Sequence, residues 1–568
     1  MPVLLDRCYQ FFHRAFLHGV VSPLLSFSIN RRIGQFNHAT RTVAQTQEAL
    51  LRRLIAKHRH TAFGADHGFS SIQSLADFRN HLPVAGYERI EPYMNRVLKG
   101  EVNALLNDKR IHMFALTSGT TDTRKYIPVT DQYLEDYRHG WNIWGLNAFN
   151  HHPAIKLEPI LQMSGDWDEY RSPSGVPCGS VTGLTARMQK RVIRGLYCVP
   201  PEVSWIKDPL AKYYTAMRLS IPRQPGMILA ANPSTMINLA RTADREKERL
   251  LRDLRDGTLD SRLEVPDKVR QAIAPRLKRH PDRVKELEQV IQRTGALLPK
   301  DYWKPTCLLG NWTGGSMGPY LRHYPALFGS MPVRDVGLIA SEGRMTIPLA
   351  DSTPAGVLDI TTHFFEFIPE EEKESANPTV LLPQELQEGR NYFILLTTAY
   401  GLYRYDIHDV VRCTGFYNQA PLLEFLNKGS YFANITGEKI SEHQVTRSMS
   451  KVLEHLNTAL TVYSLAPCWD DEKPFYGLFI EESDLNNKET GLAIARELDL
   501  HLRSLNMEYE SKREGRLGPI QTFFLPAGAW KSWDSEHLKK TGGTLEQYKH
   551  PCLISDLSFR EKILARQP

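Results

Sequence analysis

Cysteine is scarce, seven in 568 residues, and no pair shows CxxC spacing or a ligand-like distance to histidine. Neither a disulfide framework nor a structural zinc site is expected, and the free thiols point to a reducing, cytoplasmic compartment. No block of like charge occurs. The net charge of +6 comes from 70 basic and 64 acidic side chains spread along the chain, which does not indicate a nucleic-acid surface. No apolar run is long enough to span a bilayer. Phe11 to Ser28 comes nearest, but His13, Arg14 and His18 interrupt it and no small-residue cleavage site follows. A docked amphipathic helix is expected there, with a membrane-surface contact as the alternative. Internal repeats, low-complexity tracts and long flexible linkers are also missing.

What is present is the composition of a soluble globular protein, 42% hydrophobic and 24% charged. The length exceeds what one core needs, so two or more domains are expected. Residues 1–60 read as helical. Val43, Gln47, Leu50, Leu51, Leu54, Ile55 and His58 recur at steps of three and four, the pattern of a helix buried on one face. His58 and His60 are given a solvated face and no role. Ser172 to Gly183 reads as a long loop of small residues, and 241–293 as charge-rich helix with an Ala243, Leu250, Leu251, Leu254 stripe stopped by Gly257. From Thr306 the pattern turns to strands, and after about residue 428 to a smaller α+β unit. The fold class is therefore mixed α/β, with a large domain over 1–428 and a small one over 429–568.

One stretch organises the chain. Ile111 to Leu116 is an apolar, strand-like approach to Thr117-Ser118-Gly119-Thr120-Thr121-Asp122-Thr123-Arg124-Lys125. Small hydroxyl residues and a glycine, closed by a lysine, suit a polyphosphate: amides and hydroxyls donate, and Lys125 supplies charge. The G-x-x-x-x-G-K-[ST] spacing is absent, so this is not a Walker loop. Thr130-Asp131 then opens a helix carrying Tyr133, Tyr137, Trp141 and Trp144 on one face. Three further elements follow in order. These are the Gly314-Gly315-Ser316 turn, the Ala340-Ser341-Glu342-Gly343 strand end, and Gly401-Leu402-Tyr403-Arg404-Tyr405-Asp406-Ile407-His408-Asp409. The last leads on to Thr414-Gly415-Phe416-Tyr417 and Ile435-Thr436-Gly437-Glu438-Lys439.

In order and spacing this set resembles the adenylate-forming superfamily of acyl-CoA ligases, luciferases and peptide-synthetase adenylation domains. More narrowly, it resembles a bacterial-type member of the auxin-responsive acyl-acid amido synthetase family. The resemblance runs over nearly the whole chain, from Phe63-Gly64 and His67-Gly68-Phe69 to Gln547-Tyr548-Lys549-His550-Pro551. It implies a ligase forming carbon–nitrogen bonds. A small carboxylic acid is adenylated with ATP and Mg²⁺, pyrophosphate leaves, and an amino acid amine then displaces AMP. It also implies roles. Ser118, Gly119, Thr120, Thr121 and Lys125 hold phosphates, and Glu342 binds Mg²⁺. Gly315, Ser316, Ala340, Ser341 and Gly343 frame the adenine, Asp409 accepts from the ribose, and Phe416 packs near the nucleotide. Lys439 and Lys549 are the catalytic cations, Lys549 on a small domain that swings about 427–430. Tyr137, Trp141, Ser180 and Thr182 are candidates for the acyl and acceptor pocket. The partners are small molecules, with neither nucleic acid nor an integral membrane, and a monomer is expected.

Three residues depart from the family pattern: Asp122 and His408, where small residues or glycine are usual, and Cys552, where arginine is expected. A drifted or degraded site is therefore an alternative, as is an acyl-CoA ligase. A more distant alternative is a serine hydrolase, because Gly314-Gly315-Ser316-Met317-Gly318 fits G-x-S-x-G, with Asp406 or Asp409 and then His443 following.

Overall fold

Helix Val43–His58 shows how the chain builds its core. In the computed structural model its buried residues are Val43, Gln47, Leu50, Leu51, Leu54, Ile55 and His58, the face its spacing predicts. The two polar members are fully used. Gln47 donates to the carbonyls of Ile360 at 2.7 Å and His363 at 2.8 Å, and its oxygen accepts from Phe365 N at 2.9 Å. His58 is not on a solvated face. Its Nδ1 accepts from Asn107 N at 3.2 Å, so Nε2 donates to Ala399 O at 2.9 Å, and burial lowers its pKa to about 4. It is a neutral bridge inside the core. The structure describes all residues except 1–21, 118–124, 190, 374, 376, 429–431, 434, 437, 439, 471–472, 507–508, 511, 514–516, 542–547 and 566–568.

Three sheets form the frame up to residue 428. The first pairs strand Ile111–Thr117 with Lys125–Thr130 (antiparallel) and with Pro177–Gly179 (parallel). The second is parallel, in the order Ile160–Gln162, Met227–Leu229, Leu308–Asn311, Val333–Asp335. Its strands are short and mostly buried, as expected of a sheet covered on both faces. The third is a six-stranded antiparallel sheet whose centre is the long hairpin Tyr405–Tyr417 and Ala420–Lys428. One apolar core joins the first and third sheets. A second core gathers around the parallel sheet with helices Pro209–Ser220, Pro233–Arg245 and Lys247–Asp256. The Lys247–Asp256 helix ends on Gly257 as its sequence predicts. Ser172 to Gly183 is not wholly loop: it includes strand Pro177–Gly179 and the start of helix Val181–Arg187.

The chain beyond residue 432 has cores of its own. Strands Tyr463–Cys468, Phe475–Glu481 and Gln521–Leu525 form one sheet, and helices Glu442–His455 and Lys488–Leu505 bury Val445, Met449, Val452, Ile494, Leu498 and Leu502 in the same core. A capping box, Ser441 with Gln444, starts the first of these helices.

A buried ion cluster ties the N-terminal helices to the antiparallel sheet. Glu366 accepts from Arg404 Nε and from Arg79 Nε, both at 2.8 Å, with its side chain 1% exposed. Removing one partner of such a cluster strands a buried charge. Glu366→Ala is expected to cost about 3–5 kcal/mol, read as a lower midpoint in urea unfolding, whereas Glu48→Ala in the exposed Arg52–Glu48 pair costs under about 1 kcal/mol.

Candidate active site

The phosphate-type loop, residues 118–124, lies outside the described residues, but its two anchors do not. Thr117 pairs with Lys125 across antiparallel strands. Thr130 caps the following helix, Asp131–His151, by accepting from Tyr133 N at 3.3 Å. Lys125 Nζ donates to Tyr405 OH at 3.4 Å and lies 5.8 Å and 5.9 Å from the ring centroids of Tyr87 and Tyr405.

Glu342 is brought to the same place by a tight hairpin. Ile339–Ala340 pairs with Gly343–Arg344, leaving Ser341 and Glu342 as the turn. Ser341 Oγ donates to Leu116 O at 3.0 Å, and Tyr133 OH donates to Ser341 O at 3.0 Å. The turn is thus stitched to the strand that enters the loop. Glu342 is buried among tyrosines. Burial raises the hydroxyl pKa of Tyr405, Tyr87, Tyr133 and Tyr400, and the Glu342 charge adds to the rise in each. Gly343 is required here: its φ is +142°, and a Cβ would lie 2.5 Å from Tyr400 OH and 2.6 Å from His363 Nε2.

Asp409 is buried on strand Tyr405–Tyr417, where the ladder steps from Leu395–Asp406 to Phe393–Val410. Ile407, His408 and Asp409 therefore stand opposite Ile394 alone, a bulge that re-aims Asp409. His408 has φ of +61°, the backbone that favours glycine, which is why glycine is usual there. Its N donates to Asp406 Oδ1 at 2.8 Å, and its Nδ1 is 3.3 Å from Asp406 Oδ2. The histidine is accommodated by facing Asp406, and the turn is kept.

Lys549 reaches this region from the C-terminal unit. Its ammonium lies 4.4 Å from the Trp312 ring centroid and 4.7 Å from that of Phe425. Gly314 and Gly315 pack on the same Phe425: their Cβ positions lie 3.1 Å from its carbonyl and its ring. Asp335 braces this turn, accepting from Thr313 N at 2.6 Å, Thr313 Oγ1 at 2.7 Å and Gly337 N at 2.6 Å. Burial raises its pKa, and Lys549 is among the groups opposing the rise. Sequence reading missed Asp335, Trp312, Phe425, Tyr87 and Tyr405. Trp312, next to the Gly-rich turn, and Tyr405, inside the Gly401 to Asp409 stretch, carried a local signal; the others did not.

Other predicted residues separate. Phe416 is 39% exposed and sits seven residues along the strand from Asp409, about 20 Å away. Cys552 is buried in the C-terminal core, its N donating to Glu442 Oε1 at 2.7 Å, so its departure from arginine belongs to packing. Lys439 and Asp122 lie outside the described residues, as does the Ser316 side chain. The acid and base candidates of the hydrolase reading are engaged elsewhere among the described residues. His443 Nε2 faces Arg412 Nη2 at 3.4 Å, its pKa is lowered to about 4 by burial and by Arg412 and Arg447, and Asp406 is bonded to Lys373 and His408.

The aromatic stripe divides. Trp144 is core, its indole donating to Asp335 O at 2.7 Å. Tyr137 and half-buried Trp141 run on towards Arg344, whose guanidinium lies 4.6 Å from the Trp141 ring. Burial lowers the Arg344 pKa to about 10. Thr185 on helix Val181–Arg187 interacts with Tyr137. At the start of this helix, Ser180 Oγ and Thr182 Oγ1 are 2.9 Å apart, and Thr182 accepts from Gly165 N at 3.1 Å.

The fold is that of an acyl acid amido synthetase. Two solved structures of GH3.15 acyl acid amido synthetase, one in complex with 2,4-DB, align over 94% of this chain with TM-scores of 0.79 and 0.82, at 19% and 20% identity. They are covered over 94% and 96% of their own lengths. The chain belongs to the GH3 family: the family's N-terminal domain matches residues 32–333, its central domain 356–428 and its C-terminal domain 443–558. Among curated relatives, jasmonoyl-L-amino acid synthetase GH3.5 of Oryza sativa subsp. japonica is 24% identical over 93% of this chain and 95% of its own length. Indole-3-acetic acid-amido synthetase GH3.10 of Arabidopsis thaliana is 22% identical over 91% and 94%.

Two stability measurements check this geometry. His408→Val is expected to cost about 1–2 kcal/mol, since the left-handed backbone is strained for an L-residue and worse for a branched one; His408→Gly is expected to unfold at the wild-type urea midpoint or above it. Asp136, on the aromatic helix, has its pKa raised to about 7, first by burial and then by Asp359. The folded chain keeps this proton from pH 4 to 7 while the unfolded chain loses it, so the group's contribution to stability falls as pH rises, by about 2–4 kcal/mol in all. Asp136→Asn removes that slope: the variant gains on wild type in unfolding at pH 8 but not at pH 4.

Proposed function

We propose that the chain is an ATP-dependent acyl-acid amido synthetase that joins a small carboxylic acid to an amino acid through an acyl-adenylate. The observation that carries this reading is the meeting of Lys549, from the C-terminal unit, with Trp312 and Phe425, the residue on which the Gly314-Gly315 turn packs. The Glu342 hairpin, stitched to the end of strand Ile111–Thr117, supports it.

In the first step an acid carboxylate oxygen attacks the ATP α-phosphorus and pyrophosphate leaves. Ser118, Gly119, Thr120 and Thr121 hold the phosphates, with Lys125 at the end of the loop. Gly315, Ser316, Ala340, Ser341 and Gly343 frame the adenine, and Asp409 accepts from the ribose hydroxyls. Glu342 would hold Mg²⁺. The described residues contain no group of three or more His, Cys, Asp or Glu that could cage a metal, and a lone buried carboxylate fits an ion whose other ligands are phosphate oxygens and water. The ion, when bound, offsets the repulsion between carboxylate and triphosphate. Lys549 serves this step, placing positive charge where the α-phosphate gains negative charge. In the second step the amine nitrogen attacks the acyl carbon, AMP leaves and the ammonium proton is lost to solvent. Lys439 is the second cation, and residues 429–568 move relative to 1–428 between the steps.

The acid lies against Tyr137 and Trp141, with Ser180 and Thr182 at the start of the neighbouring helix. Jasmonic and indole-3-acetic acids, named for the relatives, are the first to try. No helix among the described residues is long and apolar enough to cross a membrane, and we place the enzyme in the cytoplasm as a monomer.

Acid-dependent exchange of labelled pyrophosphate into ATP is the test. Exchange is expected with at least one aryl or aliphatic acid, abolished by EDTA and reduced on the order of 100-fold in Glu342→Ala. AMP release on adding amino acids then completes the assignment. Release by coenzyme A alone would make the chain an acyl-CoA ligase, and nucleotide binding without exchange on the whole panel would make the site a degraded one.

A further inference from the structure

The Lys549 segment is held by groups that the proposed chemistry does not use. Tyr548 OH donates to Asp534 Oδ1 at 2.8 Å, and His550 Nδ1 lies 2.9 Å from the same oxygen. The other His550 nitrogen, Nε2, lies 2.8 Å from Ser464 Oγ, which donates to Pro551 O at 2.7 Å. Trp530 closes the frame, its ring 4.5 Å from that of His550 and near perpendicular to it. Asp534 and Trp530 stand on helix Ala529–Thr541, and Ser464 on strand Tyr463–Cys468. The frame is therefore built on regular elements of the C-terminal unit. The side chains at 548 and 550 meet one carboxylate oxygen, while the one between them reaches Trp312 and Phe425.

The large unit supplies a matching contact. Asn232, buried, donates from Nδ2 to Tyr548 O at 2.6 Å, while its Oδ1 accepts from Ser234 N at 2.9 Å and caps helix Pro233–Arg245. One residue thus fixes the helix end and receives the lysine segment. His323 adds a side contact between the units, its Nε2 2.8 Å from Thr461 Oγ1.

We propose that Asp534 is a positioning residue for the adenylation step and Asn232 its docking point. Asp534 preorients Lys549 within the C-terminal unit, and Asn232 registers the segment when the two units close. This rests on the role given above to Lys549. A long, flexible lysine has many rotamers to lose. Fixing its neighbours on both sides confines the backbone beforehand and leaves only the side chain to order on closure.

The experiment measures the two half-reactions separately in the full-length enzyme. One assay is acid-dependent pyrophosphate exchange; the other is amide formation from a supplied acyl-adenylate and amino acid. Asp534→Ala is expected to lower kcat for exchange by about 10- to 100-fold, with KM for ATP and acid within about twofold. Amide formation and the urea midpoint stay at wild-type values. Asp534→Asn keeps an acceptor oxygen and restores most of the exchange. Asn232→Ser keeps the helix cap but loses the amide donor, and reproduces the exchange defect. Exchange at the wild-type rate in Asp534→Ala, or equal loss in both half-reactions with a lowered urea midpoint, overturns the proposal. Lys549→Met is the control: if it exchanges normally, the role of Lys549 fails, whereas if it loses exchange and Asp534→Ala does not, only the positioning role fails.

Discussion

Burial of the Glu342 carboxylate at the tip of a two-residue turn is the constraint on which the rest of the site depends. A charge in such a place is costly unless the surroundings are arranged for it. The chain arranges them by fixing the turn from both sides. Ser341 donates to the carbonyl of Leu116, Tyr133 donates to the carbonyl of Ser341, and Gly343 lets Tyr400 and His363 approach where a side chain could not fit. Tyrosines rather than aliphatic residues surround the carboxylate because their hydroxyls can share its field. The hairpin, the strand entering residues 118–124 and the start of the aromatic helix thus act as one unit, and displacing any of them moves the carboxylate.

The second half of the site is made by an encounter. Trp312 and Phe425 come from different sheets of the large unit, and their faces receive an ammonium from the other end of the chain. An ammonium gives up hydration to sit between two rings and regains part of it as attraction to their faces. That balance is small enough to reverse, which suits a contact that must form and break between two half-reactions at one place. Asp335 keeps the Gly-rich turn in position while this happens, because its two oxygens hold both the turn and the chain leading to the Glu342 hairpin.

Departures from a family pattern look different once their surroundings are known. His408 occupies a left-handed position and turns its ring to Asp406, so the bulge that aims Asp409 persists without glycine. Cys552 is sealed in the C-terminal core, its amide donating to Glu442. Phe416 shows a different case: the resemblance implied a nucleotide contact, but a strand carries its residues apart at about 3.3 Å each, and Phe416 stands at the exposed end of the hairpin.

The sequence by itself determined what depends on near neighbours. The face of helix Val43–His58, the cap at Thr130, the stop at Gly257 and the change from helical to strand character after Thr306 are local, because periodicity, capping and turn chemistry act over a few residues. The sequence also held the order of motifs that pointed to the family. Only the tertiary structure decided which of those residues share a site. Leu116 meets Ser341, Thr313 meets Asp335, Asn232 meets Tyr548, and Lys549 meets Trp312 and Phe425. These contacts join residues from different strands, sheets and units, and they follow from strand register and domain closure. One sequence read by itself carries no local signal of either.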